Sequence, residues 1–406
     1  MTIPNSNNFN PVGAVKMSFD EQINRKGTHS SKWDMMKATY GVSPDDGLSM
    51  WVADMDFRPP SVVQSALEKM MKNGVYGYFG DDRAYLEAIT WWMQTRHGWT
   101  VDPESIFTTH GLVNGAAMCL DAFTNKGDGV ILMTPVYHAF ARVIKAAKRQ
   151  LVECQLISKA GRYVLDIEAW DAQMTGAEKM FILCSPHNPG GRVWTKQELT
   201  DIANFCERHD LILISDEIHH DLVMPGFTHH VMPLAAPHVQ DRLIMMTAGS
   251  KTFNIAGAHT GNVIIYNPKL KQIFKNRMIA LGSSPNSFGL HMVTAAYSPE
   301  GAKWVDELRL YIDHNRQAFD AGINSIKGVR SMPLEGTYLA WVDFAGTGMH
   351  ADEIKDRIQD TAKIAVNHGT SFGKGGESFM RFNLGMPFFQ VEAAIARMQK
   401  AFSDLQ

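Results

Sequence analysis

Cysteine is scarce. The 406 residues hold four, Cys119, Cys154, Cys184 and Cys206, with no C-x-x-C spacing among them. That excludes a disulfide scaffold and a cysteine-based zinc module, and the thiols read as buried groups in a reducing compartment. No apolar run reaches the ~18 residues needed to span a bilayer. The polar start, with Asn5, Asn7, Asn8 and Asn10, lacks the hydrophobic core of a signal peptide. A cytoplasmic protein is expected. A surplus of either charge is missing as well: 39 basic and 42 acidic residues leave a net charge of -3. Nothing therefore favours nucleic acid or an anionic membrane as a partner, and neither is expected. There is no internal repeat and no low-complexity segment. What is present is apolar content, 45% of a chain too long for one hydrophobic core.

The chain divides into three stretches: residues 1–58 as an N-terminal arm and part of a small domain, 59–295 as a large domain, and 296–406 as the rest of the small domain. Residues 1–30 are polar and low in periodicity and read as an arm or a disordered leader; such an arm often lies across a partner subunit. The segment Trp51 to Phe57 is extended and stopped by Pro59-Pro60. Ser61 is placed to cap a helix running to about Lys72, and Tyr76-Gly77-Tyr78 is an aromatic loop. Asp81 and Asp82 start the next helix, whose buried face includes Trp91 and Trp92.

From Phe107 onward strands and helices alternate. Apolar runs at 130–134, 151–156, 179–185, 211–215 and 262–266 are the strands, with helical periodicity at 139–148 and 196–208 between them. This predicts an α/β fold, a mostly parallel seven-stranded sheet flanked by helices. The last ~80 residues change character, with strands at 336–342 and 379–383 around a helix at 351–362, which predicts a smaller α+β domain.

Ligands of such sheets bind beyond the carboxyl ends of the strands. The polar motifs fall there: Thr134 to Tyr137, Ser185 to Gly191, Asp216 to His219, and Ser250-Lys251. Together they meet the needs of pyridoxal phosphate. Lys251, in a small-residue turn, supplies the amine for a Schiff base. Asp216 supplies the carboxylate that keeps the pyridine nitrogen protonated. Asn188 and His219 supply donors to the phenolate oxygen, and Tyr137 an aromatic cover for the ring. Gly111-Leu112-Val113 opens a helix whose free N–H groups suit a phosphate, with the Ser250 hydroxyl beside them. The pairs His219-His220 and His229-His230 have no partnering cysteine or carboxylate spacing, so they read as hydrogen-bonded or surface residues and no metal is expected.

The motifs named so far, with Thr337-Tyr338-Leu339-Ala340-Trp341 and Arg381-Phe382-Asn383, occur in an order that resembles the fold-type I pyridoxal phosphate enzymes. Within them the chain is similar to the cystathionine β-lyase-like carbon-sulfur lyases of the MalY/PatB type. The resemblance implies that Lys251 holds the cofactor and serves as acid and base. It implies that Arg381 clamps the substrate's α-carboxylate, with Ala53 and Tyr76 bordering the substrate. It also implies that Tyr76 reaches the phosphate of a neighbouring subunit, so that a homodimer shares its active sites.

Two positions depart from most class I aminotransferases. His219 replaces the tyrosine three residues after the aspartate, as in the lyase-like branch, and His259 replaces the arginine eight residues after the lysine. The turn Gly111 to Gly115 also lacks the proline associated with many such lyases. The expected activity is α,β-elimination of L-cystathionine or another cysteine S-conjugate. The alternatives are an aminotransferase, which shares the early steps, and a regulatory protein that keeps the cofactor.

Overall fold

The computed structural model describes residues 18–405, so most of the expected arm, residues 1–17, lies outside them. In the first half the strands are β1 (Leu48–Ser49), β2 (Ile106–Thr109), β3 (Gly129–Leu132), β4 (Gln150–Glu153), the hairpin β5 (Ile157–Lys159) and β6 (Arg162–Val164), and β7 (Glu178–Cys184). Then come β8 (Ile212–Asp216), β9 (Leu243–Thr247) and β10 (Gly261–Ile265). The last third adds β11 (Arg330–Ser331), β12 (Leu339–Asp343), β13 (Ile364–Ala365), β14 (Asn367–His368) and β15 (Phe379–Asn383).

Seven strands form the main sheet in the order β2-β10-β9-β8-β7-β3-β4. All its pairings are parallel except the two made by β10. The alternation of side chains explains why these strands read as continuous apolar runs. In β8, Leu213 joins Phe181, Leu183 and Met245 in the core on one face, while Ile214 joins Met180, Ile182 and Met246 in the core on the other. Both faces are covered by helices, so neither set is exposed to water. The helix Lys196–Arg208 begins where the sequence dictates, through a capping box between Thr195 and Glu198.

With β10 reversed, β2, β3, β7, β8 and β9 all end on one edge. Asp216 is the last residue of β8 and lies in register with Cys184 of β7 and Met246 of β9. A second sheet, β11-β12-β15-β14, is antiparallel throughout. It places Arg381 opposite both Trp341 and Asn367. β1 pairs in parallel with β13, tying residues 48–49 to the C-terminal part of the chain.

Three local expectations are corrected. Pro60, not Ser61, occupies the cap position of the helix Ser61–Asn73, and no side chain caps it. Trp92 is fully buried and bonded to Asp221, whereas Trp91 is 36% exposed, because adjacent helical positions point about 100° apart. The segment at Trp51 to Phe57 is bent rather than extended.

That segment is fixed by side chains instead. Asp56 accepts from Arg25 Nη1 at 2.8 Å, Lys32 Nζ at 2.8 Å and Trp33 Nε1 at 3.0 Å, all but Arg25 from the interior. Removing one partner of such a buried pair costs about 3–5 kcal/mol, so residues 25–33 and 54–56 are held as one unit.

Candidate active site

Lys251 sits on the short helix Gly249–Thr252 directly after β9. Its Nζ donates to the carbonyl of Ala53 at 2.5 Å, and Tyr338 Oη donates to the same oxygen at 2.9 Å. Burial draws the ammonium down to about 8, with Asp54 opposing that shift, Arg381 reinforcing it and Asp216 opposing it. The turn and the segment it faces are locked together by Asn254. Its Oδ1 accepts from Met55 N at 2.8 Å, while its Nδ2 donates to the carbonyls of Met55 and Phe57. Asn383 does the same from β15, donating to the carbonyls of Val52 and Asp54.

Asp216 is 5% exposed. Burial pushes its carboxyl up to about 7, although Oδ1 accepts from Ile218 N at 3.0 Å. Glu217 adds to the rise, and the charges of Lys251 and His220 oppose it. A buried carboxylate so weakly compensated fits a cationic ring nitrogen. His219, also buried, is held neutral, well below the usual imidazole range, by desolvation and by the nearby charges of Lys251 and Arg381. Its Nδ1 is buried without a hydrogen-bond partner among the described residues.

Arg381 is 2% exposed, and burial lowers it to about 10, still charged at neutral pH. Nη1 donates to Asn188 Oδ1 at 3.0 Å, and Nη2 donates to Trp51 O at 2.7 Å and to Asn367 Oδ1 at 2.5 Å. Its Nε is buried and unbonded. Asn188 thus uses its oxygen on Arg381 and keeps its amide hydrogens for another acceptor. Its carbonyl also accepts from Tyr137 N at 3.0 Å, which sets the aromatic residue beside it.

The turn at Gly111 opens the helix Leu112–Phe123, and Gly111 adopts φ +83°, a conformation that favours glycine. A side chain on neighbouring Gly261 would meet Leu112 at 2.6 Å, so β10 can approach the turn only because it has none. The first N–H groups of that helix have no intrahelical acceptor.

The structure therefore brings Ala53, Asn188, Lys251 and Arg381 into one connected set, with Tyr137 bonded to it and Asp216 and His219 within electrostatic reach. Ser250 precedes Lys251 on the same short helix. Tyr76 is elsewhere: it is 56% exposed, packs on Phe288 and makes no hydrogen bond to this set among the described residues. His259 is exposed, with φ +47°. Sequence reasoning missed the positioning residues. Tyr338 and Asn383 lay inside quoted motifs without a role and Asn254 three residues after Lys251, while Tyr40, bonded through Asn367 to Arg381, carried no signal at all.

Residues 49–398 match the aminotransferase class I and II family, and the chain belongs to it. The relatives are full-length ones. The chain is 36% identical to cystathionine beta-lyase PatB of Bacillus subtilis (strain 168), over 95% of this chain and 100% of that protein. It is 30% identical to protein MalY of Escherichia coli (strain K12), over 94% and 98%. Its fold superposes with a TM-score of 0.91 on cystalysin from Treponema denticola, a crystal structure that contains pyridoxal 5'-phosphate, at 35% identity and covering 96% and 99% of the two chains. The fold is that of the fold-type I enzymes.

Proposed function

We propose that this protein is a pyridoxal phosphate-dependent carbon-sulfur β-lyase. It converts L-cystathionine or a related cysteine S-conjugate, with water, to a thiol, pyruvate and ammonia. What carries the reading is the connected set around Lys251 and Arg381, in a chain similar along 95% of its length to a protein named cystathionine beta-lyase. The orphaned buried atoms Arg381 Nε and His219 Nδ1, and the weakly compensated Asp216, fit a charged ligand between the two sheets' residues.

Lys251 would hold the cofactor, Asp216 its ring nitrogen, Asn188 and His219 its phenolate oxygen, and Tyr137 its face. Gly111, Leu112, Val113 and Ser250 would hold its phosphate. When bound, the group supplies the electron sink that protein side chains lack.

The remaining work belongs to the chain. Arg381 binds the substrate's carboxylate with guanidinium edges already oriented by Trp51 O and Asn367. Lys251, neutral once freed, takes the proton from the α-carbon, and the thiolate leaves the β-carbon. Ala53 O and Tyr338 hold the amine on the substrate side of the site. Tyr76 is proposed to complete the phosphate site of a second copy in a homodimer; its exposure beside Val75 and Met71 supports this. A cytoplasmic location accords with the four buried, unpaired cysteines.

The lowered Lys251 has a measurable consequence. Only the free amine attacks an aldehyde, so capture of pyridoxal phosphate by the cofactor-free protein should accelerate about tenfold per pH unit below its pKa. Stopped-flow absorbance should show the rate levelling off near pH 8. A rate still climbing past pH 10 would mean an ordinary, solvated lysine.

The function itself is tested by incubating the holoenzyme with L-cystathionine and no keto acid. Continuous release of pyruvate and free thiol is expected. Turnover of amino acids only when a keto acid is added would establish an aminotransferase instead.

A further inference from the structure

Neither histidine pair of the sequence supplies a metal-ligand set by itself, but the fold brings the distant His97 to His220 and the adjacent Asp221. His97, at the end of the helix Arg83–His97, meets His220 and Asp221 from the loop after β8. His97 Nε2 lies 2.9 Å from Asp221 Oδ1, and His220 Nε2 lies 3.1 Å from Asp221 Oδ2. The two imidazoles stand edge to face with centroids 4.4 Å apart.

His220 is fully buried; apart from the 3.1 Å approach of Nε2 to Asp221 Oδ2, neither ring nitrogen has an aligned hydrogen-bond partner among the described residues. Its compensation in the interior comes from the charge of the buried Asp221 carboxylate rather than from an aligned hydrogen bond. It borders a cavity of about 200 Å³ that His97, Asp221 and His229 also line.

We propose that His97, His220 and Asp221 form a binding site for a divalent transition-metal ion of the zinc type. Two imidazoles and one carboxylate are a ligand set that leaves further positions for water, and the cavity gives that water room. The spacing is suitable. A metal about 2.1 Å from each donor separates neighbouring donors by about 3.0 Å at right angles and about 3.4 Å at the tetrahedral angle. The two imidazole–carboxylate separations, 2.9 Å to Oδ1 and 3.1 Å to Oδ2, fall near these values, and the three donors lie within 4.8 Å of one another.

The outer contacts orient the ligands. Trp92 Nε1 at 3.1 Å and Thr252 Oγ1 at 2.8 Å both donate to the Asp221 carboxylate and fix its plane. The arginines at the rim have their own partners: Arg96 is paired with Asp306 at 2.6 Å, and Arg309 donates to Val223 O at 2.7 Å. Because Thr252 follows Lys251, the site also touches the turn that carries the catalytic lysine.

The test is calorimetric titration of the chelator-treated holoenzyme with ZnCl2, beside His97→Ala, His220→Ala and His238→Ala. Saturable uptake of one ion per chain is expected. Affinity should fall at least about tenfold in each of the first two variants and stay unchanged in His238→Ala. Circular dichroism and the cofactor's visible absorption verify that the variants fold. If His220→Ala does not fold, Co2+ added to the wild type provides the second measurement, with visible ligand-field bands expected and then lost in His97→Ala. Absence of saturable uptake by the wild type overturns the site. So does uptake that survives either substitution in a folded variant, which would mark adventitious binding.

Discussion

Replacing Lys251 with alanine should lower turnover of a cysteine S-conjugate by at least about 10³-fold, since one change removes both the cofactor's covalent attachment and the acid-base group. The fold should survive it. Among the described residues the only side-chain hydrogen bond lost is the one to Ala53 O, and that oxygen still accepts from Tyr338 Oη at 2.9 Å. Steady-state pyruvate and thiol release, with circular dichroism as the control, gives the answer. A folded Lys251→Ala protein that keeps a tenth of the activity would show that another base acts. Full retention of a biological role in that variant would instead support a regulatory protein for which catalysis is incidental.

Asp216→Asn is expected to lower kcat by about 10²–10³-fold while leaving KM nearly unchanged, because the lost interaction matters most when charge moves into the ring. The substitution preserves shape: asparagine can still accept from Ile218 N, so the β8 end keeps its geometry. What disappears is a negative charge in a buried place. At an effective dielectric near 20, two unit charges about 4 Å apart interact by about 4 kcal/mol, whereas one pKa unit is only about 1.4 kcal/mol. A carboxylate beside the ring nitrogen therefore shifts its protonation decisively, and a neutral amide does not. The same attraction acts in reverse on Asp216: a cation against it keeps ionised a group that burial alone pushes up to about 7. A kcat within about threefold of wild type would remove Asp216 from this role.

Lys251, Asp216 and Asn188 were legible as candidates because their local contexts are distinctive, whereas Arg381 was a candidate only through the family resemblance. Lys251 follows an apolar strand through a turn of small residues. Asp216 ends a strand that has no other charge. Strand periodicity and the right-handed α/β alternation then place such ends on one edge of a sheet, which is a property of the backbone and is written in the order of residue types. The helix Lys196–Arg208 was legible from its apolar periodicity, and a local hydrogen-bond pattern, the capping box of Thr195 and Glu198, fixes its start.

Other features depended on distance in sequence. Trp91 and Trp92 look alike in a sequence, yet only the second faces the core. The clamp by Asn254 and Asn383 on residues 52–57 joins positions about 200 and 330 residues apart. The link from Tyr40 through Asn367 to Arg381 and the meeting of His97 with His220-Asp221 are of the same kind.

By itself, then, the sequence determined the alternating architecture, the residues able to do amine and carboxylate chemistry, and the strand ends that carry them, because periodicity, capping and residue type act over a few neighbours. Only the tertiary structure decided which polar groups meet, how far Lys251 and Asp216 are drawn from their ordinary pKa values, and which imidazoles gather at a buried carboxylate. Desolvation and hydrogen bonding depend on everything packed around a group, and most of those neighbours come from distant parts of the chain.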